Sequence, residues 1–358
     1  MVSFIISVDS TYPMVENFFY LFLQDEFVRS SEVIIVVDGN LNVQIHNYLM
    51  KLSKEYSNIA IKFLEKVGYG KANNIGVGIS TGEFIFFINC DVFANEGCFR
   101  TMFNFLETGT ADCIQPLLIY PQTNLVQCAG TFFGHYFKDH LFDGNYADAP
   151  IVQKDGKRQA LNSALYAMKK HTFLEFKGFD EFYYNKLESF ELSYKLSLHG
   201  LICWYTAKTH AWHSRGGGRG QYTFDFRQQE AYFWSRFGKS VSPDITDYLL
   251  AQIRPDMENK NYYAVVLSQI RSWREIIAML PFNLSEYMEM PWVAPGTLNL
   301  WHIFPSFIIR YSGPLVLAVE NIQNLNPNKY WFQLRNNPED IAVDAYANLV
   351  NISEYLRL

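Results

Sequence analysis

The sequence of 358 residues lacks the marks of several protein classes. It has 30 basic and 36 acidic residues and a net charge of -6, so it offers no excess of positive charge to a nucleic-acid backbone. We therefore expect no nucleic-acid partner. It has only five cysteines, none spaced as C-x-x-C, and so predicts neither a zinc site nor a disulfide framework. Reduced cysteines are typical of a cytoplasmic protein.

Long apolar runs and a secretion signal are also missing. The best candidate for a membrane span, residues 303–319, is interrupted by Pro305, Arg310 and Pro314. The N-terminus enters an apolar stretch without a basic region or a cleavage site, so no signal peptide is predicted. We expect a cytoplasmic protein. Peripheral contact with the inner face of a membrane, through the C-terminal region, stays open.

The composition instead indicates a well-buried globular protein. Hydrophobic residues make up 49% of the chain and charged residues 18%, a balance that argues against disorder. A chain of this length exceeds one small core, so we expect one large domain or two domains.

Strand and helix patterns alternate along the first third of the chain. Apolar stretches at 2–8, 32–37, 60–64 and 84–89 predict strands, and the segments between them have helical spacing. This alternation predicts an α/β fold with a doubly wound, mostly parallel, Rossmann-like sheet.

Acidic residues follow three of these predicted strands. Asp9, Asp38 and Asp91 come at or just after the strand ends. Because the carboxyl ends of parallel strands meet at one edge of a sheet, we expect these three side chains to lie close together. Helix capping explains any one of them nearly as well, but three in succession favour a ligand site.

Two kinds of chemistry fit the stretch from 65 to 92. Gly68 and Gly70 follow a strand and open a helix, with Asp91 about twenty residues later, as in a dinucleotide-binding fingerprint. However, Asn73 stands in place of the third glycine, and the motif follows the third strand instead of the first. Alternatively, Asp91 holds a divalent cation that bridges a nucleotide diphosphate, and Asp38 accepts a hydrogen bond from the base or ribose.

The order of several motifs resembles family 2 glycosyltransferases of the GT-A fold, and most closely their rhamnosyltransferase-like branch. The resemblance covers roughly residues 1–240. It begins with VGYGKANNIG at 67–76 and TGEFIFFINCDV at 81–92, where Cys90 replaces the middle proline of the family's Asn-Pro-Asp. The later motifs, in order, are QCAG at 127–130, KGFDEFYY at 177–184, ESFEL at 188–192 and His213 before a glycine-rich loop.

The resemblance implies inverting transfer of a sugar from a nucleoside-diphosphate sugar, UDP- or dTDP-linked, to a hydroxyl. The acceptor would be a glycan, lipid-linked or protein-linked, in surface polysaccharide or glycoconjugate synthesis. It implies Mn²⁺ or Mg²⁺ at Asp91 and His213. Arg219, in the glycine-rich loop, is a further candidate for clamping the diphosphate. The donor-binding candidates are Asp9, Asp38, Gly68, Gly70, Lys71, Asn74, Asn89 and Arg215.

The expected catalytic base is where the sequence departs from the family. Ser189 occupies the position of the family's basic aspartate, and a serine cannot accept the acceptor's proton unaided. Glu188 and Glu191 flank it and share a helix face, so either is a candidate base. Solvated helix charges explain each glutamate equally well. Two alternatives therefore stay open, a non-catalytic module that binds a nucleotide sugar or a partner enzyme, and a nicotinamide-dependent oxidoreductase.

The sequence divides into two predicted regions. Residues 1–240 form the GT-A domain, with a nucleotide-sugar-binding half at 1–110 and an acceptor-side half at 111–240. Residues 241–358 are predicted to be mainly helical, with proline interruptions. This second region would form an acceptor-side lobe, a homodimer contact or a membrane-surface patch.

Overall fold

The computed structural model describes residues 1–39, 43–134, 137–214, 226–266, 273–289 and 311–358. Strands and helices alternate from the N-terminus to about residue 110, as predicted. The strands are β1 (Val2–Val8), β2 (Glu32–Asp38), β3 (Ile59–Leu64), β4 (Phe84–Ile88), β5 (Val92–Ala94), β6 (Cys113–Ile119), β7 (Val126–Cys128), β8 (Thr131–Gly134), β9 (Phe137–His140), β10 (Gly156–Lys157), β11 (Leu165–Lys169), β12 (Cys203–His213), β13 (Asn261–Val266), β14 (Asn283–Glu289), β15 (Leu315–Val319), β16 (Ile341–Asp344) and β17 (Leu349–Asn351). The α-helices are α1 (Tyr12–Phe22), α2 (Glu26–Arg29), α3 (Val43–Glu55), α4 (Tyr69–Ile79), α5 (Cys98–Glu107), α6 (Lys170–Glu175), α7 (Glu188–Leu198), α8 (Phe226–Phe237), α9 (Ile245–Leu250), α10 (Trp273–Ala278), α11 (Lys329–Arg335) and α12 (Ile352–Leu356).

The large sheet is built around β1. Its main path runs β10-β12-β6-β11-β4-β1-β2-β3, and β5 and β7 pair with β12 and β6 at its side. The four strands β4, β1, β2 and β3 are parallel, whereas β11 is antiparallel to both of its neighbours, β4 and β6. The prediction of an α/β fold with a doubly wound sheet is confirmed.

Both faces of the central strands are buried, which explains their almost continuous apolar sequence. On β1, Phe4 and Ile6 belong to one core cluster and Ile5 to the other, and all three are fully buried. Helices α1, α3 and α5 contribute to the first cluster, and α4, α6 and α7 to the second. Each such side chain stabilises the fold by about 1.5–3 kcal/mol.

The chain forms two compact units. The first comprises residues 1–132 and 152–241, and the second comprises 133–151 and 242–358. Segment 133–151, which the sequence analysis placed in the GT-A domain, thus groups with the C-terminal residues. None of the helices in the described ranges is long and apolar enough to cross a bilayer.

The second unit contains a sheet, so the prediction of a mainly helical C-terminal region was wrong. Its five strands lie in the order β14-β13-β15-β16-β17. All pairs are parallel except β16 with β17. β13 and β15 are short apolar runs, buried at almost every position. Such runs have no polar alternation, and periodicity alone does not separate them from buried helical turns.

Candidate active site

Strand ends of the first unit supply the acidic side chains of one pocket. Asp9 follows β1, Asp38 ends β2, and Asp91 lies between β4 and β5. All three line the same pocket, together with Lys66 and His213. The structure therefore brings together the carboxylates that sequence reasoning placed at one sheet edge.

Strand pairing places His213 beside Asp91. The short strand β5 runs antiparallel to the end of β12, with His213 opposite Val92. The backbone N–H of Ser214 also donates to the carbonyl oxygen of Asp91, at 2.9 Å. As a result, Nε2 of His213 lies 3.4 Å from Oδ1 of Asp91.

Gln127 fixes the orientation of the His213 ring. Its side-chain N–H donates to the His213 carbonyl oxygen at 3.0 Å, which identifies the other amide atom as the oxygen. That oxygen lies 2.5 Å from Nδ1 of His213, so we assign the proton of the neutral ring to Nδ1. The lone pair of Nε2 then faces Asp91. This is the arrangement in which a histidine binds a metal, with a second residue holding its other nitrogen.

Asp38 is occupied by its own backbone and by a lysine. Its carboxylate is 2% exposed and accepts hydrogen bonds from the N–H groups of Val67, at 2.6 Å, and Gly68, at 3.1 Å. Lys66 Nζ lies 3.2 Å from Asp38 Oδ2 and also pairs with Asp9. Asp38 therefore holds the turn before α4, and few of its lone pairs are left for a base or ribose.

Lys66 balances the charge of this side of the pocket. Partial burial acts to lower the pKa of its ammonium group, but the contacts with Asp9 and Asp38 outweigh this and raise it. The lysine therefore stays charged and offsets two carboxylates where an anionic ligand would enter.

The glycines of the turn are required by packing within the chain. Gly68 has a φ of +90°, and a Cβ there would lie 2.7 Å from the carbonyl oxygen of Tyr184. A Cβ on Gly70 would lie 3.1 Å from Cγ of Glu188. Since residues of the chain itself fill the space at both glycines, the turn is not an open phosphate cradle of the dinucleotide-binding kind.

Some donor-binding candidates line the pocket and others lie outside it. Gly68 and Asn89 line it, with Tyr69, Cys90, Tyr184 and Asn185. Burial raises the pKa of the Cys90 thiol, which disfavours the nucleophilic thiolate.

Three candidates on α4 have structural contacts. Gly70 packs against α7, and Lys71 pairs with Glu181 at 3.5 Å. Asn74 bonds to both the N–H and the carbonyl oxygen of Phe179, each at 2.9 Å. Arg215 lies outside the described residues, as do Arg219 and the glycines around it.

The two candidate bases on α7 are buried and are not among the residues that line the described pocket. Glu188 is 1% exposed and accepts a hydrogen bond from the N–H of Lys186 at 2.8 Å. Glu191 is fully buried. Its Oε2 accepts from the Tyr183 hydroxyl at 2.5 Å and from Arg236 at 3.0 Å, and Lys195 lies 3.4 Å from Oε1.

The donor set at Asp91 and His213 fits an octahedral cation. In the described part of the chain, no group of three or more His, Cys, Asp or Glu residues is arranged to hold a metal. Mg²⁺ and similar ions usually take one or two protein ligands and complete their shell with water and substrate phosphate. One carboxylate oxygen and one oriented imidazole satisfy that requirement.

Residues 21–169 match the family model described as Glycosyl transferase family 2. This segment therefore belongs to glycosyltransferase family 2. The match covers the Gly68 turn, α4 and Asp91, and it confirms the predicted family. The comparison with curated protein sequences gave no match.

Several solved glycosyltransferase structures align with this chain. The crystal structure of GalNAc-T7 with UDP, GalNAc and Mn²⁺ aligns with a TM-score of 0.52 and 13% identity, over 62% of this chain and 45% of that one. The mannosyltransferase PcManGT from Pyrobaculum calidifontis, in complex with GDP-Man and Mn²⁺, aligns with a TM-score of 0.47 and 12% identity, over 67% of this chain and 63% of that one. The crystal structure of S. aureus TarS 1–349 in complex with UDP-GlcNAc aligns with a TM-score of 0.47 and 14% identity, over 71% of this chain and 68% of that one. The GalNAc-T7 alignment places the family 2 segment in a GT-A fold. The chain spans less than two thirds of the first two structures.

Sequence reasoning missed four residues of the pocket region. Gln127 and Tyr184 stood inside the recognised motifs QCAG and KGFDEFYY without a role, Lys66 immediately precedes VGYGKANNIG, and Asn185 follows KGFDEFYY. Lys66 comes directly before the Gly68 turn in the segment that follows β3, and this position was the only available signal. For Gln127 there was none, because its role depends on β7 lying beside the end of β12.

Proposed function

We propose that this protein is a family 2 glycosyltransferase that is metal-dependent, inverting and uses a nucleoside-diphosphate sugar. The observation that carries the proposal is the approach of Asp91 to an oriented His213 in a pocket bordered by the Gly68 turn. Asp91 and His213 would hold Mn²⁺ or Mg²⁺. The cation would supply positive charge that stabilises the departing diphosphate.

The remaining polar groups of the pocket would receive the nucleotide. Lys66 offsets Asp9 and Asp38, so the pocket keeps less negative charge against an incoming diphosphate. Asp9, with 43% of its side chain exposed, is more accessible to a base or ribose than Asp38. A UDP- or dTDP-linked donor remains our proposal, and the UDP and Mn²⁺ of the GalNAc-T7 crystal structure are the first probes to use.

Inverting transfer needs a group that removes the acceptor's proton, and we favour Glu188 over Glu191. Glu188 packs against the first turn of α4, where Gly68 and Tyr69 line the pocket, and its carboxylate accepts from the N–H of Lys186. Glu191 instead has two cationic neighbours and a tyrosine hydroxyl around its carboxylate. A base must lie near the acceptor hydroxyl, and the contact of Glu188 with the first turn of α4 favours it on position.

A non-catalytic nucleotide-sugar-binding module is the second candidate. Ser189, 2% exposed, stands where the family has its base, and both neighbouring glutamates are buried. Donor binding without turnover, unchanged in Glu188→Gln, would favour this candidate. The oxidoreductase is disfavoured because Tyr184 and Glu188 occupy the space at the two glycines. NADH binding in preference to UDP would restore it.

The acceptor is proposed to be a glycan, lipid-linked or protein-linked, in surface polysaccharide or glycoconjugate synthesis. Residues 1–110 would supply most of the donor site, completed by Tyr184, Asn185 and His213, and the rest of 111–240 would form the acceptor side. The second unit would contribute an acceptor lobe, a homodimer contact or a membrane-surface patch.

The deciding experiment is calorimetric titration of the full chain with UDP-, dTDP- and GDP-sugars, with Mn²⁺ and with EDTA, followed by donor hydrolysis. We expect one donor to bind, and to bind at least about tenfold more tightly with Mn²⁺, because a cation held by Asp91 and His213 would offset the negative charge of the diphosphate. Asp91→Asn should remove this metal dependence. The proposal fails if none of these donors binds with or without metal.

A further inference from the structure

Arg236 joins two carboxylates through a single nitrogen. Its Nη1 lies 2.7 Å from Oδ2 of Asp180 and 3.0 Å from Oε2 of Glu191. The guanidinium group also lies over the rings of Tyr232 and Phe237, at 4.8 and 5.0 Å from their centres. The hydroxyl of Tyr232 donates to the same oxygen of Asp180 at 3.2 Å. Helix α8 is thereby fixed to the KGFDE segment and to α7.

These two carboxylates in turn fix the chain that leads to the donor pocket. Asp180 Oδ1 accepts from the N–H of Phe182 at 3.0 Å, so the arginine holds the residue that shapes this turn. Glu191 accepts from the hydroxyl of Tyr183, which is 1% exposed. Arg236 therefore holds segment 180–183 at both ends. It contacts Asp180 directly, and it reaches Tyr183 through Glu191.

The next two residues belong to the pocket itself. Tyr184 and Asn185 line it, and the carbonyl oxygen of Tyr184 accepts from the N–H of Tyr69 at 2.9 Å. This bond joins the segment to the first turn of α4. A shift of Tyr183 would therefore move Tyr184 away from Gly68, whose missing side chain leaves room for it.

We propose that Arg236 is a positioning residue of the donor pocket, which acts through Asp180 and Glu191 to hold residues 180–185 against α4. The inference rests on the proposed function only in that this pocket binds the donor. It assigns to Glu191 a structural role, as a carboxylate that receives Arg236, Lys195 and the Tyr183 hydroxyl.

The test compares Arg236→Met with Arg236→Lys in the full chain by hydrogen exchange and by UDP binding with Mn²⁺. In Arg236→Met we expect the amides of Tyr69 and Phe182 to exchange at least about tenfold faster, because local opening frees them. UDP affinity should fall by about tenfold for the same reason. Arg236→Lys should restore both, since one ammonium can replace the single nitrogen that makes both contacts.

Arg100→Met is the matched control. Arg100 also lies over an aromatic ring, 4.4 Å from the centre of Phe27, in the same unit but on α5. Arg100→Met should leave the exchange of the Tyr69 and Phe182 amides and the UDP affinity unchanged. If Arg236→Met does not fold, the double variant Arg236→Met/Glu191→Gln replaces it. This variant removes the buried Glu191 charge together with the arginine that pairs with it, and its exchange and UDP affinity are compared with the wild type in the same way.

Unchanged exchange at Tyr69 and Phe182 in Arg236→Met would overturn the inference. A uniform rise that includes β1 and β2 would also overturn it, since it would show general destabilisation. The exchange measurement does not depend on a ligand. If it follows the expected pattern while the wild type binds no nucleotide, the proposed function fails and the positioning role stands.

Discussion

Gln127 holds His213 through two hydrogen bonds, one to the ring nitrogen Nδ1 at 2.5 Å and one to the carbonyl oxygen at 3.0 Å. We predict that Gln127→Leu, which removes both bonds, weakens Mn²⁺ binding by about 10- to 100-fold because the ring loses its orientation. Gln127→Glu keeps an acceptor for Nδ1 and should lie between the wild type and Gln127→Leu. Titration of Mn²⁺ in the presence of UDP checks this order. Equal affinity in the wild type and Gln127→Leu would contradict it.

Asp38 and Asp9 share Lys66 but differ in burial, which predicts different costs of substitution. In Asp38→Asn, the side-chain NH₂ group would face the N–H groups of Val67 and Gly68 and the ammonium of Lys66, which are all donors. The free energy of unfolding should therefore fall by about 1–3 kcal/mol. Asp9→Asn loses an ion pair on a side chain that is 43% exposed, and should cost less than about 1 kcal/mol. Urea unfolding of the two variants measures the difference. Equal costs would contradict the assignment of Asp38 to the turn.

Gly68 and Gly78 form a matched pair for testing the close approach of Tyr184. Gly68→Ala combines a φ of +90° with a Cβ that would lie 2.7 Å from a carbonyl oxygen, so we expect a loss of more than about 2 kcal/mol. Gly78 lies on the same helix, and a Cβ there would meet nothing within 4 Å. Gly78→Ala should stabilise the protein by about 0.5–1 kcal/mol. Thermal unfolding measures both variants, and a tolerated Gly68→Ala would contradict the packing argument.

The fold of the first unit was largely predictable, because parallel strands buried on both faces leave a clear apolar pattern. The stretches at 2–8 and 32–37 match β1 and β2 within a residue. The same kind of run was misjudged after residue 241. There β13 and β15 are just as apolar, but turn-like and proline-containing segments around them suggested interrupted helices.

The site was predictable where backbone topology determines it, and not where side-chain contacts do. The convergence of Asp9, Asp38 and Asp91 follows from strand ends alone. The engagement of Asp38 by the N–H groups of Val67 and Gly68 does not, since it depends on how the turn folds back. A helix pattern likewise placed Glu188 and Glu191 on one face without indicating that both would be buried.

Glu32 gives the stability of the first unit a dependence on acid pH. Partial burial acts to raise its pKa, but hydrogen bonds from Ser3 and from the N–H and hydroxyl of Thr81 outweigh this and lower it. Because the folded value lies below the unfolded one, the stabilisation is present above the unfolded pKa and is lost as the pH falls through the folded one. In Glu32→Gln, the free energy of unfolding measured in urea should fall less steeply as the pH is lowered. The difference from the wild type should be less than about 1 kcal/mol, since the group is largely solvated. The exposed Glu26→Gln is the control, and an equal effect there would contradict the assignment.

The two glutamates of α7 should separate chemistry from stability. Glu188→Gln removes the favoured base, so donor hydrolysis with Mn²⁺ should fall by about 10²- to 10⁴-fold while donor affinity and unfolding stay near the wild type. Glu191→Gln weakens the contacts that Lys195 and Arg236 make with a buried carboxylate, so its free energy of unfolding should fall by about 1–3 kcal/mol. Hydrolysis assays and urea unfolding of both variants check this separation. An unchanged rate in Glu188→Gln, with a lost rate in a well-folded Glu191→Gln, would reverse the two roles, because a carboxylate that only anchors Arg236 cannot take the acceptor's proton.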